Sequence, residues 1–199
     1  MNRPPSRGLR RTGLAVLGAL VASALPGTTA SAAVPADSAR GCAVVYFDLG
    51  ETLVHTDEDD RTGYMPGAAA YLRELRKRHI EVGLITNVPS SWGSTDAERA
   101  AALKKEVDST WKGSVPFAWK DFGNRILTPR TEAERKPAPT LWKRAKAQTH
   151  DCRPVYEAET AEETDVAASL GYVAYQTGRP GRPAYLPARV IEWLARGSG

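Results

Sequence analysis

The chain has 199 residues, 27 Lys and Arg against 23 Asp and Glu, 42% hydrophobic residues and two cysteines. Four of the basic residues are Arg3, Arg7, Arg10 and Arg11, and residues 1–32 hold no acid, so beyond position 32 the balance is 23 basic to 23 acidic. The apparent basicity therefore belongs to the N-terminus and gives no argument for nucleic acid or for an anionic membrane.

In chain order, the arginines are followed by the apolar run LAVLGALVASAL at residues 14–25, then TTASAA, which sets Ala30 and Ala32 at small-residue spacing. This is the layout of a secretory signal peptide cleaved after Ala32, and the apolar core falls short of the roughly 20 residues a spanning helix needs. The expectation is an exported chain, free of the membrane after cleavage, with one domain over residues 33–199. That length suits a single substantial core.

Past Arg40, short β-branched runs alternate with helical patterns. AVVYFD is the first strand. PGAAAYLRELRKRH sets Ala68, Tyr71, Leu72 and Leu75 on one helical face, and VGLITN is the second strand. STDAERAAALKKEVDSTW opens with Thr95 and Glu98 in capping-box spacing and continues with Ala100, Leu103 and Val107 at helical spacing. NRILTP is a weaker third strand, APTLWKRAKAQ a helix after Pro139, and RPVYEAE the fourth strand. TAEETDVAASLG is a helix with Thr160 and Glu163 again in capping-box spacing, YVAYQ the fifth strand, and PARVIEWLARG a terminal helix. Strands alternating with helices predict an α/β, three-layer Rossmann-like domain, a parallel five-stranded sheet with helices on both faces.

Open sheets of this kind bind ligands outside the carboxyl ends of their strands. The polar residues there are Asp48 after the first strand, Thr86 and Asn87 after the second, and Glu157 or Glu159 after the fourth, with Lys136 in a loop before a helix. A carboxylate, a hydroxyl, a lysine and a further acid converging at one edge would make a phosphate and divalent-metal site. His55, His79 and His150 show no metal-ligand spacing. Trp92, Trp111, Trp119 and Trp142 read as core packing, and the acidic run Asp57–Asp60 as a solvated loop.

Four stretches, in this order, resemble the haloacid dehalogenase (HAD) superfamily of hydrolases: FDLGETLV, GLITN, RKPAP and, more loosely, VYEAETAEETDVAASLGY. The resemblance covers about residues 42–176. It implies Asp48 as a nucleophile that accepts a phosphoryl group, Thr86 and Lys136 as groups that hold and neutralise that phosphoryl, and Mg²⁺ held by Asp48, the Gly50 carbonyl, Glu159 and Asp165. Asn87, Gly50 and Glu51 would line the substrate side. It further implies the strand order 5-4-1-2-3, which makes the first and fourth strands neighbours and places Cys42 and Cys152 within bridging reach. The phosphatases of the superfamily carry a second Asp two positions after the nucleophile as general acid and base; here that position is Gly50. Dehalogenase branches lack it too. The segments after Asp48 and between Asn87 and Lys136 are too short for a lid domain, so the site is expected to be open and to suit a phosphorylated, bulky or polymeric substrate. The resulting expectation is an exported Mg²⁺-dependent phosphatase. The alternative is a secreted, non-catalytic binding protein that kept the fold after losing the acid at position 50.

Overall fold

The computed structural model describes residues 41–197; the expected signal peptide lies outside the described residues. Five parallel strands form the sheet in the order β5-β4-β1-β6-β7: β1 (Ala43–Phe47), β4 (Glu81–Ile85), β5 (Ile126–Leu127), β6 (Arg153–Ala158) and β7 (Val173–Gln176). In order of occurrence among these five this is 3-2-1-4-5, read from the other edge as the expected 5-4-1-2-3.

Strand alternation sorts the core into two layers. Val45, Phe47 and Val155 face a cluster built with Leu72 and Leu75 of α1 (Ala68–Lys77), Leu103 of α2 (Asp96–Thr110), Phe122 of α3 (Trp119–Phe122) and Ile191 of α6 (Ala188–Arg196). Val44, Tyr46 and Tyr156 face the opposite cluster with Leu141 and Trp142 of α4 (Thr140–Ala147) and Ala167 of α5 (Ala161–Ser169). The central strand β1 is buried at every position, as a strand covered on both sides must be. Tyr46 leans over Gly83 so closely that a Cβ there would meet the ring at 2.4 Å, so only glycine fits.

The capping box of α2 forms as the spacing predicts, with Thr95 and Glu98 each satisfying the other's backbone N–H. That of α5 forms by half. Thr160 accepts from Glu163 N, but the Glu163 carboxylate points away from the cap to a lysine. The third strand shrinks to two residues. Of the four tryptophans expected in the core, Trp142 is fully buried and Trp92, Trp111 and Trp119 pack half-buried on the first cluster; the fifth, Trp193, is exposed.

Residues after Asp48, too few for a lid domain, make a short flap, an antiparallel hairpin of β2 (Val54–Thr56) and β3 (Thr62–Tyr64). Its acidic turn is self-contained: Asp57 accepts from the backbone of Asp59 and Arg61 and pairs with the Arg61 guanidinium at 2.9 Å. At the opposite edge of the sheet Cys42 and Cys152 form the expected disulfide, closing the starts of β1 and β6. No helix among the described residues is long and apolar enough to cross a membrane.

Candidate active site

Four elements end at one place. β1 delivers Asp48, whose backbone N–H bonds the Glu157 carbonyl and so stays in sheet register one residue past the strand. β4 delivers Thr86, held the same way by the Leu127 carbonyl. β6 delivers Glu159, and the loop before α4 delivers Lys136.

Lys136 is the hub. Its ammonium bonds Asp48 Oδ1 and lies 2.8 Å from Glu163 Oε2. Tyr156 donates to the same Glu163 oxygen at 2.6 Å. Asp48 is 7% and Lys136 9% exposed, so the pair is held in a poorly hydrated setting where a partnerless charge would be costly. The Asp48 carboxyl is raised to about 6 on balance: burial pushes it up, the Lys136 ammonium pulls it down, and the negative charge of Glu163, then that of Glu159, pushes it up. Lys136 is itself positioned through its backbone: Asn87 Oδ1 accepts from Lys136 N at 2.8 Å and Asn87 Nδ2 donates to its carbonyl at 3.2 Å. Asn87, expected on the substrate side, thus spends both ends of its amide on the lysine loop.

Glu159 is clamped from the first motif. Thr52 Oγ1 donates to Glu159 Oε2 at 2.7 Å and accepts from Glu159 N at 3.1 Å, while Tyr185 fixes the Thr52 carbonyl at 2.6 Å. Glu51, with a left-handed backbone (φ 51°), turns to His55, whose Nδ1 sits 2.8 Å from its carboxylate. It does not reach Asp48, so the side chain beside Gly50 does not replace the missing acid. Around Gly50 the direction a Cβ would take is open, with nothing within 4 Å.

Two expectations need correction. Asp165 is exposed on α5 and joins none of these groups. Helical geometry explains this: Glu163 sits at the third helical position, facing Lys136, and a residue two further on is rotated by about 200°. Glu157 is not at the site either. Its side chain points to the other face of the sheet, fully buried, with Tyr71 2.7 Å away and Leu186 N–H donating at 3.0 Å. Sequence reading missed Thr52, Tyr156 and Glu163 as site residues. Thr52 lay within the quoted motif, and Glu163 stands at the third position of the helix that Thr160 caps.

Among the described residues no group of three or more His, Cys, Asp or Glu is gathered to hold a metal. The donors on hand are carboxylate oxygens: Asp48, with one oxygen bonded by Lys136, and Glu159, with one taken by Thr52. That set fits Mg²⁺, which is commonly held by one or two carboxylates and completed by water and substrate phosphate.

No family model matches the chain, and no curated protein matches it in sequence. Among solved structures it is similar to a candidate HAD-like phosphatase from Mesorhizobium loti, at 11% identity and TM-score 0.49 over 79% of this chain and 86% of that one. It is also similar to an uncharacterized protein from Listeria monocytogenes serotype 4b, at 14% identity and TM-score 0.48 over 76% and 96%. A third, an uncharacterized protein from Corynebacterium glutamicum, aligns at 16% identity and TM-score 0.40 over 78% and 93%. Alignments this loose assign neither activity nor substrate to this chain.

Proposed function

We propose that this chain is an exported phosphohydrolase that works through an aspartyl-phosphate on Asp48. The observation that carries this reading is the buried Asp48–Lys136 pair at the end of the central strand, with Thr86 beside it on the neighbouring strand. In the reaction, a carboxylate oxygen of Asp48 attacks phosphorus and the P–O bond to the leaving group breaks. Lys136 neutralises charge on the transferring oxygens, and the Thr86 hydroxyl, which makes no hydrogen bond among the described residues, is free to donate to them. Water then cleaves the acyl phosphate, returning Asp48. Asp48, Glu159 and the Gly50 carbonyl would hold Mg²⁺, which when bound offsets the repulsion between Asp48 and an anionic phosphate. Export is supported by the disulfide, since such bonds persist in oxidising compartments.

Gly50 favours a second reading, a secreted protein that binds a phosphate ligand without turning it over. General acid and base help is worth about 10² to 10⁴-fold, so without that carboxyl phosphoryl capture outlasts efficient turnover. One experiment tests whether Asp48 accepts a phosphoryl group, and turnover then separates the two. Thermal stability is measured with Mg²⁺ and beryllium fluoride, an aspartyl-phosphate mimic, for the wild type and Asp48→Asn. A ligand at 100 times its Kd stabilises by about 2.7 kcal/mol. A shift in the wild type alone supports a phosphoryl-accepting Asp48; no shift in either removes the phosphohydrolase reading. Gly50→Asp, which has room for its side chain, is expected to raise turnover by about 10² to 10⁴-fold.

A further inference from the structure

A groove runs along the flap, and none of its lining residues is Asp48, Thr86, Lys136 or Glu159. It is made of two clefts, of about 620 and 440 Å³, which adjoin at Tyr64, Ala69 and Val115. Its walls are β3, α1 and the segment 112–120. The apolar floor is Tyr64 stacked on Phe117, with Trp119 tilted against Phe117. Val115, at 50% exposure, stands at the rim.

The charge of this groove is one-sided. Five Arg and Lys side chains line it, against one acid, Asp57, which is taken by Arg61. Arg76 is paired with Asp121. Arg73, Lys112 and Lys120 are exposed and have no ion-pair partner among the described residues. They come from α1, from the turn after α2, and from α3, with Lys112 lining one cleft and Arg73 and Lys120 the other. An anion confined to one cleft meets at most two of them; an extended polyanion meets all three and releases its counterions in doing so. His55, which lines the groove, is bonded to Glu51, the residue after Gly50, so the flap that walls the groove is tied to the chain leaving the candidate site.

We propose that this groove is an exosite for a linear polymer carrying repeated phosphate groups. The choice of phosphate rests on the phosphohydrolase reading, since that is the anion the adjoining site is suited to. Arg73, Lys112 and Lys120 hold successive charges of the chain, and the aromatic floor excludes water beneath it. The flap then acts as a guide along which a terminal phosphate is presented to Asp48.

The test uses the disulfide-bonded protein, wild type and the triple variant Arg73→Ala, Lys112→Ala, Lys120→Ala, with inorganic polyphosphate as probe and calorimetric titration as readout. Expected is binding by the wild type, at least tenfold weaker binding by the variant, and a salt dependence of log Kd shallower by about two to three units. The charge-preserving variant Arg73→Lys, Lys112→Arg, Lys120→Arg retains binding. Turnover of p-nitrophenyl phosphate, which is too small to span the groove, is the same in all three. No binding by the wild type, or equal affinity in wild type and triple Ala variant, overturns the proposal. Failure of the phosphohydrolase reading shows separately, as absence of turnover and of any beryllium fluoride shift in a protein that still binds polyphosphate through these three side chains.

Discussion

Two buried carboxylates stand at the same edge of the sheet and have opposite fates. Asp48 follows Phe47 in β1, and Phe47 pairs in register with Glu157 of β6. Asp48 faces the α4 and α5 side and meets a lysine. Glu157 faces the α1 and α6 side, where the titratable groups near it are Tyr71, Tyr185 and Tyr175, all neutral. The Tyr71 hydroxyl has one proton yet lies 2.7 Å from Glu157 Oε1 and 2.6 Å from the Leu186 carbonyl. Both contacts are hydrogen bonds only if Glu157 carries a proton, and burial indeed pushes its carboxyl up to about 8. A cation in reach keeps one acid available for chemistry. Its absence makes the other a neutral structural post that ties the C-terminal segment to the core.

The strongest way to break this contrast is Asp48→Asn. It should lower turnover by about 10⁴-fold or more in a phosphatase assay, while Lys136 keeps Glu163 as partner and the unfolding midpoint stays close to that of the wild type. Next comes Lys136→Met, which strands Asp48 and Glu163 together without their cation. Removing one partner of a buried pair costs about 3 to 5 kcal/mol, to be read from urea unfolding at pH 8, and the loss should shrink as pH falls and Asp48 takes up a proton.

Glu157→Gln sharpens the other half of the comparison. Because the folded carboxyl titrates near 8 rather than at its ordinary value, the native state binds the proton more tightly than the unfolded chain. The stability from the protonated form is complete below about 4.5 and is lost as pH rises through about 8. Glutamine, which mimics the protonated acid, should escape that loss. Its advantage over the wild type should grow between pH 6 and 9 to a few kcal/mol; an advantage that does not change with pH would refute the neutral-acid assignment. The smallest effect is on rate. With Asp48 pushed up to about 6, the ionised nucleophile is depleted below that pH, so kcat/KM should fall about tenfold per unit below pH 6. A profile flat down to pH 4.5 would show that the raised value of the metal-free Asp48 does not persist in the working enzyme.

Much of the sheet was legible because periodicity and caps are local. Continuous apolar runs named β1, β4 and β6, the Thr95 and Glu98 spacing named the start of α2, and strand-end position singled out Asp48 and Thr86, with Lys136 marked in the loop before α4. Glu157 and Glu159 were both visible as acids at the end of β6, where a two-residue spacing would put them on one face; they part because the strand ends at Ala158 and Glu159 already lies in the bend beyond it, which no local pattern reveals. Likewise Glu163 carried a capping signal. Only when α4 and β6 brought Lys136 and Tyr156 within 3 Å of it did an ion pair outcompete the cap.

By itself, then, the sequence determined the order of strands and helices, the edge of the sheet where chemistry could gather, and the gap at Gly50, since each is written in neighbouring residues. The tertiary structure alone decided which acid meets the lysine, that Asn87 holds Lys136 by its backbone, and that Arg73, Lys112 and Lys120 share one groove. Those outcomes bring together side chains dozens of positions apart, and a charge's meaning is set by what lies within a few ångströms of it in space.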